Sequence, residues 1–417
     1  MSKLDELIKE LCPDGVEYKK LGEFATVIRG GNFQKKDFVE RGKPCIHYGQ
    51  MYTHFKNTTD KTLTFVSEEV FNKSKQAQPN DIVMAVTSEN VDDVCSCVAW
   101  LGKENIAVSG HTAIIHHNQN PSYMSYYFHS EHFYKQKVKL AHGTKVIEVT
   151  PDKLLNLEIP VPPLPVQEEI VRILDTFTSL TAELTAELTA RRKQYEYYRD
   201  SLLTRETKVE RFKIKDLFDT RNGYTPSTSN SDFWDNGTVP WFVMEDIREN
   251  GRVLSDSKQH ITESAVKKSG LFPANSIIVA TSATIGEHAL ITSEFLCNQR
   301  FTCLSPKTEY KSKIDMKYMF YYAFKLDDFC KRNTTKSSFA SVDMGKFYDF
   351  EFPLPPLDVQ QRIVNVLDNF DSICTDLKIG LPAEIEARKK QYEYYRDLLL
   401  SFNTIHMNGG GRAEAMK

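Results

Sequence analysis

The 417 residues exceed one ordinary core and call for two to three domains; 41% are hydrophobic and 26% charged, a globular balance rather than a disordered one. No apolar run reaches the ~18 residues a bilayer-spanning helix needs, which excludes such a helix, and the charged start Met1 to Leu11 has no signal-peptide core. A net charge of −3 excludes a polycationic nucleic-acid binder, and eight cysteines without regular spacing exclude a disulfide framework and point to a reducing cytoplasm.

After an N-terminal segment, 1–20, the block 21–160 mixes α and β patterns. It opens on Arg29-Gly-Gly-Asn32-Phe-Gln34-Lys35-Lys36, where glycines free the backbone and Arg, Asn and Gln can read base edges. A plain connecting loop explains this stretch equally well. Asp81-Ile-Val-Met-Ala-Val and Ala113-Ile-Ile-His read as strands, and Ser122 to Tyr134 as an aromatic helix. Tyr126 and Tyr127 are assigned to core packing rather than base stacking. Lys135, Lys137 and Lys139 lead into a small polar loop, His142-Gly-Thr144-Lys145, suited to phosphate or to solvent alone. The block ends on a strand, Leu157-Glu-Ile-Pro.

A helical stretch occupies 161–206. Apolar residues at Ile170, Ile173, Phe177, Leu180, Leu184, Leu188, Tyr195, Tyr198 and Leu202 step by three or four, the seam of a helix packed on another helix. From Val166 to Leu203 it would run ~55 Å. Two tandem Thr-Ala-Glu-Leu units, Thr181 to Leu188, place steps of four in succession and relax the supercoil.

The second block, 207–353, repeats the layout. It opens on Arg221-Asn222-Gly-Tyr224-Thr225-Pro-Ser227, carries strand-like Ser276-Ile-Ile-Val-Ala and Leu290-Ile-Thr, and has an aromatic helix from Met316 to Cys330 that includes Tyr321 and Tyr322. Its late basic loop holds Lys331, Arg332, Asn333, Thr335, Lys336, Ser337 and Ser338, before a last strand, Phe350-Glu-Phe-Pro. A second helical stretch, 354–403, shows the same seam, interrupted near Leu381 by Gly380 and Pro382. The tail, 404–417, reads as a flexible end.

The repeat is internal and tandem. PVPPLPVQEEIVRILDTFTSL from Pro160 returns as PLPPLDVQQRIVNVLDNFDSI from Pro353, and KQYEYYRD occurs in both helical stretches. LGEFATVIRG at Leu21 and IKDLFDTRNG at Ile214 share the offset of 193, whereas Ala190 and Ala387 are 197 apart, four residues more. The helices stay near-identical while the blocks diverge. Matching seams preserve packing; blocks that meet different targets are free to drift. Two modules on a rigid spacer fit a bipartite polymer such as DNA, or a protein scaffold.

The proline-glutamine stretches, the paired KQYEYYRD segments, the tandem TAEL units, Gly380-Leu-Pro-Ala-Glu-Ile and Phe233-Trp-Asp-Asn-Gly-Thr-Val-Pro-Trp together resemble the specificity subunits of type I restriction-modification systems. The resemblance covers the chain to about Phe402. It implies an α+β (mixed α/β) fold in which two target recognition domains, 21–160 and 207–353, form a tandem pseudo-repeat separated by two long antiparallel, coiled-coil-like helices. It also implies a bipartite double-stranded DNA site, two methyltransferase (modification) subunits and a translocating restriction subunit as partners, and a cytoplasmic setting. Tyr195, Tyr198, Tyr392 and Tyr395 are the candidates for docking the modification subunits, with packing inside the chain's own helix pair as the alternative. Arg29, Asn32, Gln34, Lys35, Lys36, Lys139, Thr144 and Lys145 in the first block are the DNA candidates. In the second they are Arg221, Asn222, Tyr224, Thr225, Ser227, Lys331, Arg332, Lys336, Ser337 and Ser338.

The sequence has no G-x-x-x-x-G-K-[ST] phosphate loop, no G-x-G cofactor loop and no Asn-Pro-Pro-aromatic element. The expectation is a chain that is not itself an enzyme, with S-adenosylmethionine, ATP and Mg on partner subunits. Cys95-x-Cys97 with His111, His116, His117, His129 and His132 lacks the C-x₂₋₄-C spacing of a zinc chelate, so no metal is assigned. Two other readings stay open: a coiled-coil interaction scaffold, or a fragment of a single-chain restriction-modification enzyme.

Overall fold

The computed structural model describes residues 2–31, 33–204, 209–335, 340–375 and 379–402. They divide into two compact units, 1–186 with 384–417 and 187–383. Each unit combines one block with part of the helical stretches. Among the described residues no helix is long and apolar enough to cross a membrane.

In the first unit a five-stranded sheet runs in the order Ala25–Arg29, Thr112–His117, Ile82–Ala85, Cys97–Trp100, Thr58–Thr59. Its centre is apolar on both faces because both are covered. Ile82 and Met84 point into a core shared with the helix Pro121–Phe128, while Val83 and Ala85 point the opposite way, toward Ile46, Ile106 and Val108 of a second sheet. The side-chain period of two thus builds both cores from one strand. The second sheet runs Phe38–Val39, Thr64–Val66, Lys43–Ile46, Ile106–Val108, Gln76–Ala77.

The second unit has the same plan. Its main sheet runs Phe218–Asn222, Phe301–Pro306, Ser276–Ala280, His288–Ile291, Val253–Leu254. Ile277 and Val279 face the helix Met316–Arg332; Ile278 and Ala280 face the smaller sheet His260–Ile261, Val239–Phe242, Leu296–Cys297. Two blocks with few identical residues therefore keep one topology, because alternation of apolar residues survives substitution.

One expected element divides. The aromatic segment Ser122 to Tyr134 is two helices, Pro121–Phe128 and Glu131–Leu140. The second starts afresh because the Ser130 hydroxyl accepts a hydrogen bond from Phe133 N. Tyr126, Tyr127, Tyr321 and Tyr322 are all buried.

The long helix spans Leu164–Thr204, and the interrupted one is two helices, Leu357–Thr375 and Leu381–Leu399, the second beginning at the expected break. In the first unit Val166, Ile170 and Leu174 enter the core beside Leu399, Leu400 and Phe402, and Phe177 stacks on Tyr395 at 5.3 Å. In the second, Leu203 shares a core with Val364 and Leu367, and Tyr198 stacks on Phe370 at 5.4 Å. The fully buried stripe, Val166-Ile170-Leu174, differs from the expected seam because this end of the helix packs on a globular core as well as on a helix.

The repeated glutamine explains part of the near-identity. Gln167 and Gln360 are fully buried. Gln167 Oε1 accepts from Asn120 N and its amide donates to Pro162 O; Gln360 Oε1 accepts from Asp315 N and its amide donates to Lys313 O and Pro355 O. Asn120 and Asp315 cap the aromatic helices, so each glutamine ties a block to the start of a long helix. Two turns further on, Tyr126 donates to Asp175 and Tyr321 to Asp368, both at 2.5 Å.

Candidate nucleic-acid interface

In the first unit, the strand Ala25–Arg29 ends at Gly30, whose backbone passes so close to the turn Ser109–His111 that a Cβ would meet Ser109 O at 2.1 Å. The Arg29 guanidinium donates to Gly110 O at 3.0 Å and pairs with Glu148 at 2.8 Å. Glu148 belongs to the base of the late hairpin, where its backbone exchanges hydrogen bonds with His142. Gly143, at φ +114°, turns the tip, and Thr144, Lys145 and Val146 project into solvent. The two early and late patches, remote in sequence, thus share one edge.

Lys35 and Lys36, exposed beside the N-cap residue Gln34 of a short helix, flank the same region, and the Lys35 charge helps hold His47 below its usual pKa, behind the larger effect of burial. Rings step outward from there: Phe38 to His47 at 5.8 Å, His47 to Tyr48 at 4.5 Å, Tyr48 to His111 at 4.9 Å. His111 then contacts the Thr87 hydroxyl at 2.9 Å, on the strand Thr87–Ser88 that pairs with the hairpin. Tyr48 and His111 carry no local sequence signal for this site; only the chain path assembles the row.

The second unit builds the same edge from different residues. Gly223 replaces Gly30, and a Cβ there would meet Cys297 O at 2.2 Å and Asn298 O at 2.3 Å. Asn222 Oδ1 accepts from the Thr302 hydroxyl at 2.9 Å, which contacts Thr281 at 3.0 Å, and Thr281 O accepts from Val342 N of the late hairpin Thr334–Thr335/Ser341–Val342. Asn32, Lys336, Ser337 and Ser338 lie outside the described residues.

The remaining candidates separate by how they are engaged. Arg221 is half-buried, donating to Ser269 O and to Gly270 O and lying 4.2 Å over the Phe272 ring; it braces its loop. Tyr224 donates to Ala265 O at 3.1 Å and lies under Lys267. Thr225 donates to Gln299, and Ser227 contacts Ser229 on an exposed turn. Lys331 packs its stem over Gly286, Arg332 donates to Asp328 O, and both stay exposed, as does Lys139. Lys137 corrects the grouping of three lysines: it is buried, its ammonium donating to Asp92 O and Val94 O, and burial lowers its pKa.

All eight cysteines are buried and free, and burial pushes the Cys95 thiol up to about 12, away from the thiolate a metal needs. Among the described residues no three His, Cys, Asp or Glu side chains group as metal ligands.

The family model for the type I restriction modification DNA specificity domain matches residues 13–191 and again 206–387. The chain belongs to this family. Within this DNA specificity family it is similar to the EcoprrI specificity subunit of Escherichia coli, 52% identical over 208 residues covering 48% of this chain and 52% of that one. It is also similar to the EcoR124I/EcoR124II specificity subunit of Escherichia coli, 43% identical over 262 residues, covering 59% of this chain and 63% of that one. The matches thus span between half and two thirds of these relatives' lengths. A solved chain from work on complex assembly and conformational transition of the type I R-M system aligns over 93% of this chain and 98% of its own, with a TM-score of 0.63 at 17% identity, and so shares the fold.

Proposed function

We propose that this chain is the DNA-specificity subunit of a type I restriction-modification complex, not itself catalytic, with each block reading one half of a bipartite, asymmetric site in double-stranded DNA. The observation that carries the reading is the duplicated edge: one topology, two different sets of exposed polar side chains. Charge supports a cooperative grip. Residues 21–160 hold 15 basic and 15 acidic side chains and residues 214–353 hold 17 and 18, so partners contribute much of the phosphate neutralisation. Those partners are two modification subunits, which carry S-adenosylmethionine, and restriction subunits, which carry ATP and Mg, in the cytoplasm. Tyr195, Tyr392 and Tyr395 are partly buried against the chain's own cores and Tyr198 stacks on Phe370, whereas Tyr197 and Tyr394 are 69% and 58% exposed. Each modification subunit docks at one of these outward rings, Tyr394 on the first unit and Tyr197 on the second.

Co-expression with the neighbouring modification subunit, followed by genome-wide mapping of methylated adenines, tests the reading. A split motif of two short half-sites is expected; no copurification and no methylation would sink it. Side-chain roles separate in a paired measurement. Lys145→Ala should leave the melting temperature unchanged and weaken binding evenly across sequences, lowering the salt slope by about 1. Lys137→Met should instead destabilise the fold by about 1–3 kcal/mol, because the buried carbonyl of Val94 and the part-buried carbonyl of Asp92 lose their donor.

A further inference from the structure

The turn that each strand-end glycine lets approach sits at the same place in both units. In the first it is Ser109-Gly110-His111, in the second Asn298-Gln299-Arg300. The match is made by backbone hydrogen bonds, without side-chain similarity: Val86 N to His111 O and Thr281 N to Arg300 O, both at 3.0 Å; Gly30 N to Thr112 O and Gly223 N to Phe301 O; Gly31 N to Val108 O and Tyr224 N to Cys297 O. Each turn joins the second sheet to the main sheet and lies between the early loop and the late hairpin.

Both turns are braced from beneath. Arg29 holds Gly110 O in the first; in the second Asn298 Oδ1 accepts from Arg300 N and Thr225 engages the Gln299 amide oxygen, leaving its NH₂ donors unspent. Arg300 and His111 are exposed, and among the described residues no hydrogen bond or ion pair occupies the Arg300 guanidinium. A rigid turn with an unspent five-donor fork suits a purine edge better than a phosphate, which needs only a flexible charge.

Resting on the specificity-subunit reading, we infer that this turn is a base-reading element in both units: Arg300, with Gln299 beside it, reads a guanine of the second half-site, and His111 contributes to the first. The equivalent positions carry different side chains because the two half-sites differ.

The test uses the chain co-expressed with its modification subunits. Arg300→Ala is expected to relax the methylated motif at one guanine of the second half-site, reducing discrimination there about ten- to a hundredfold, with the first half-site, the gap and the melting temperature unchanged. His111→Ala should alter only the first half-site. In a binding assay, 7-deazaguanine at the relaxed position should weaken the wild-type complex and leave the Arg300→Ala complex indifferent. An even loss over all sequences with an unchanged motif would make Arg300 a phosphate contact and overturn the inference, as would an unchanged motif at full methylation. If the unaltered complex yields no split motif, the functional reading fails first, and the two failures are told apart.

Discussion

Inserting one further Thr-Ala-Glu-Leu unit after Leu188 is expected to move the two methylated positions apart while both half-site sequences stay as they were. Four residues add ~6 Å of helix and a rotation of roughly 40° beyond one turn. Along B-DNA that rise corresponds to about one to two base pairs. The division between the compact units falls at Ala186 and Glu187, inside the tandem repeat, so the insertion disturbs neither globular core. Leu184 and Leu188 are half-buried and their spacing of four is preserved by a four-residue unit, whereas a two-residue insertion would turn the distal seam away. Methylome sequencing of the insertion variant reads the result directly. Original sites should lose nearly all methylation and wider sites gain it; altered half-site sequences would show that the helix does more than space the blocks.

Gln360→Leu is expected to unfold the second unit under conditions the unaltered chain tolerates. Leucine is shorter by one atom and carries no polar group, so Asp315 N, Lys313 O and Pro355 O lose their partner where block meets helix. Each orphaned group costs about 1–3 kcal/mol, so the sum of roughly 3–9 kcal/mol approaches the whole stability of a domain. Limited proteolysis with mass spectrometry should show cleavage confined to 187–383, and Gln167→Leu should produce the mirror outcome in the first unit. Gln360→Glu keeps the acceptor but loses donors, and should fall between the two. Equal protease resistance of Gln360→Leu and the unaltered chain would mean that the buried amide is not what joins block to helix.

Much of this arrangement was legible beforehand. The break near Leu381, the long helix, the strands around Ile82 and Ile277 and the burial of the tyrosine pairs all follow from periodicity and from glycine and proline chemistry. The division of Ser122 to Tyr134 was not, because a cap serine within an aromatic run has no periodic signature. Lys137 looked like its neighbours Lys135 and Lys139. Its position on the inner face of the helix, over the carbonyls of Asp92 and Val94, comes from a loop more than forty residues away.

The sequence alone determined the duplication, the shared offset of 193 residues at the start and end of the two blocks and the four-residue difference between the helical stretches, since these are properties of order along the chain. Only the tertiary structure decided which residues meet. Arg29 reaches Glu148, Asn222 connects through Thr302 and Thr281 to the late hairpin, and His47, Tyr48 and His111 form one row of rings. The physical reason lies in the sheet: neighbouring strands come from distant segments, and the side chains at their ends have neighbours set by strand order rather than by sequence spacing.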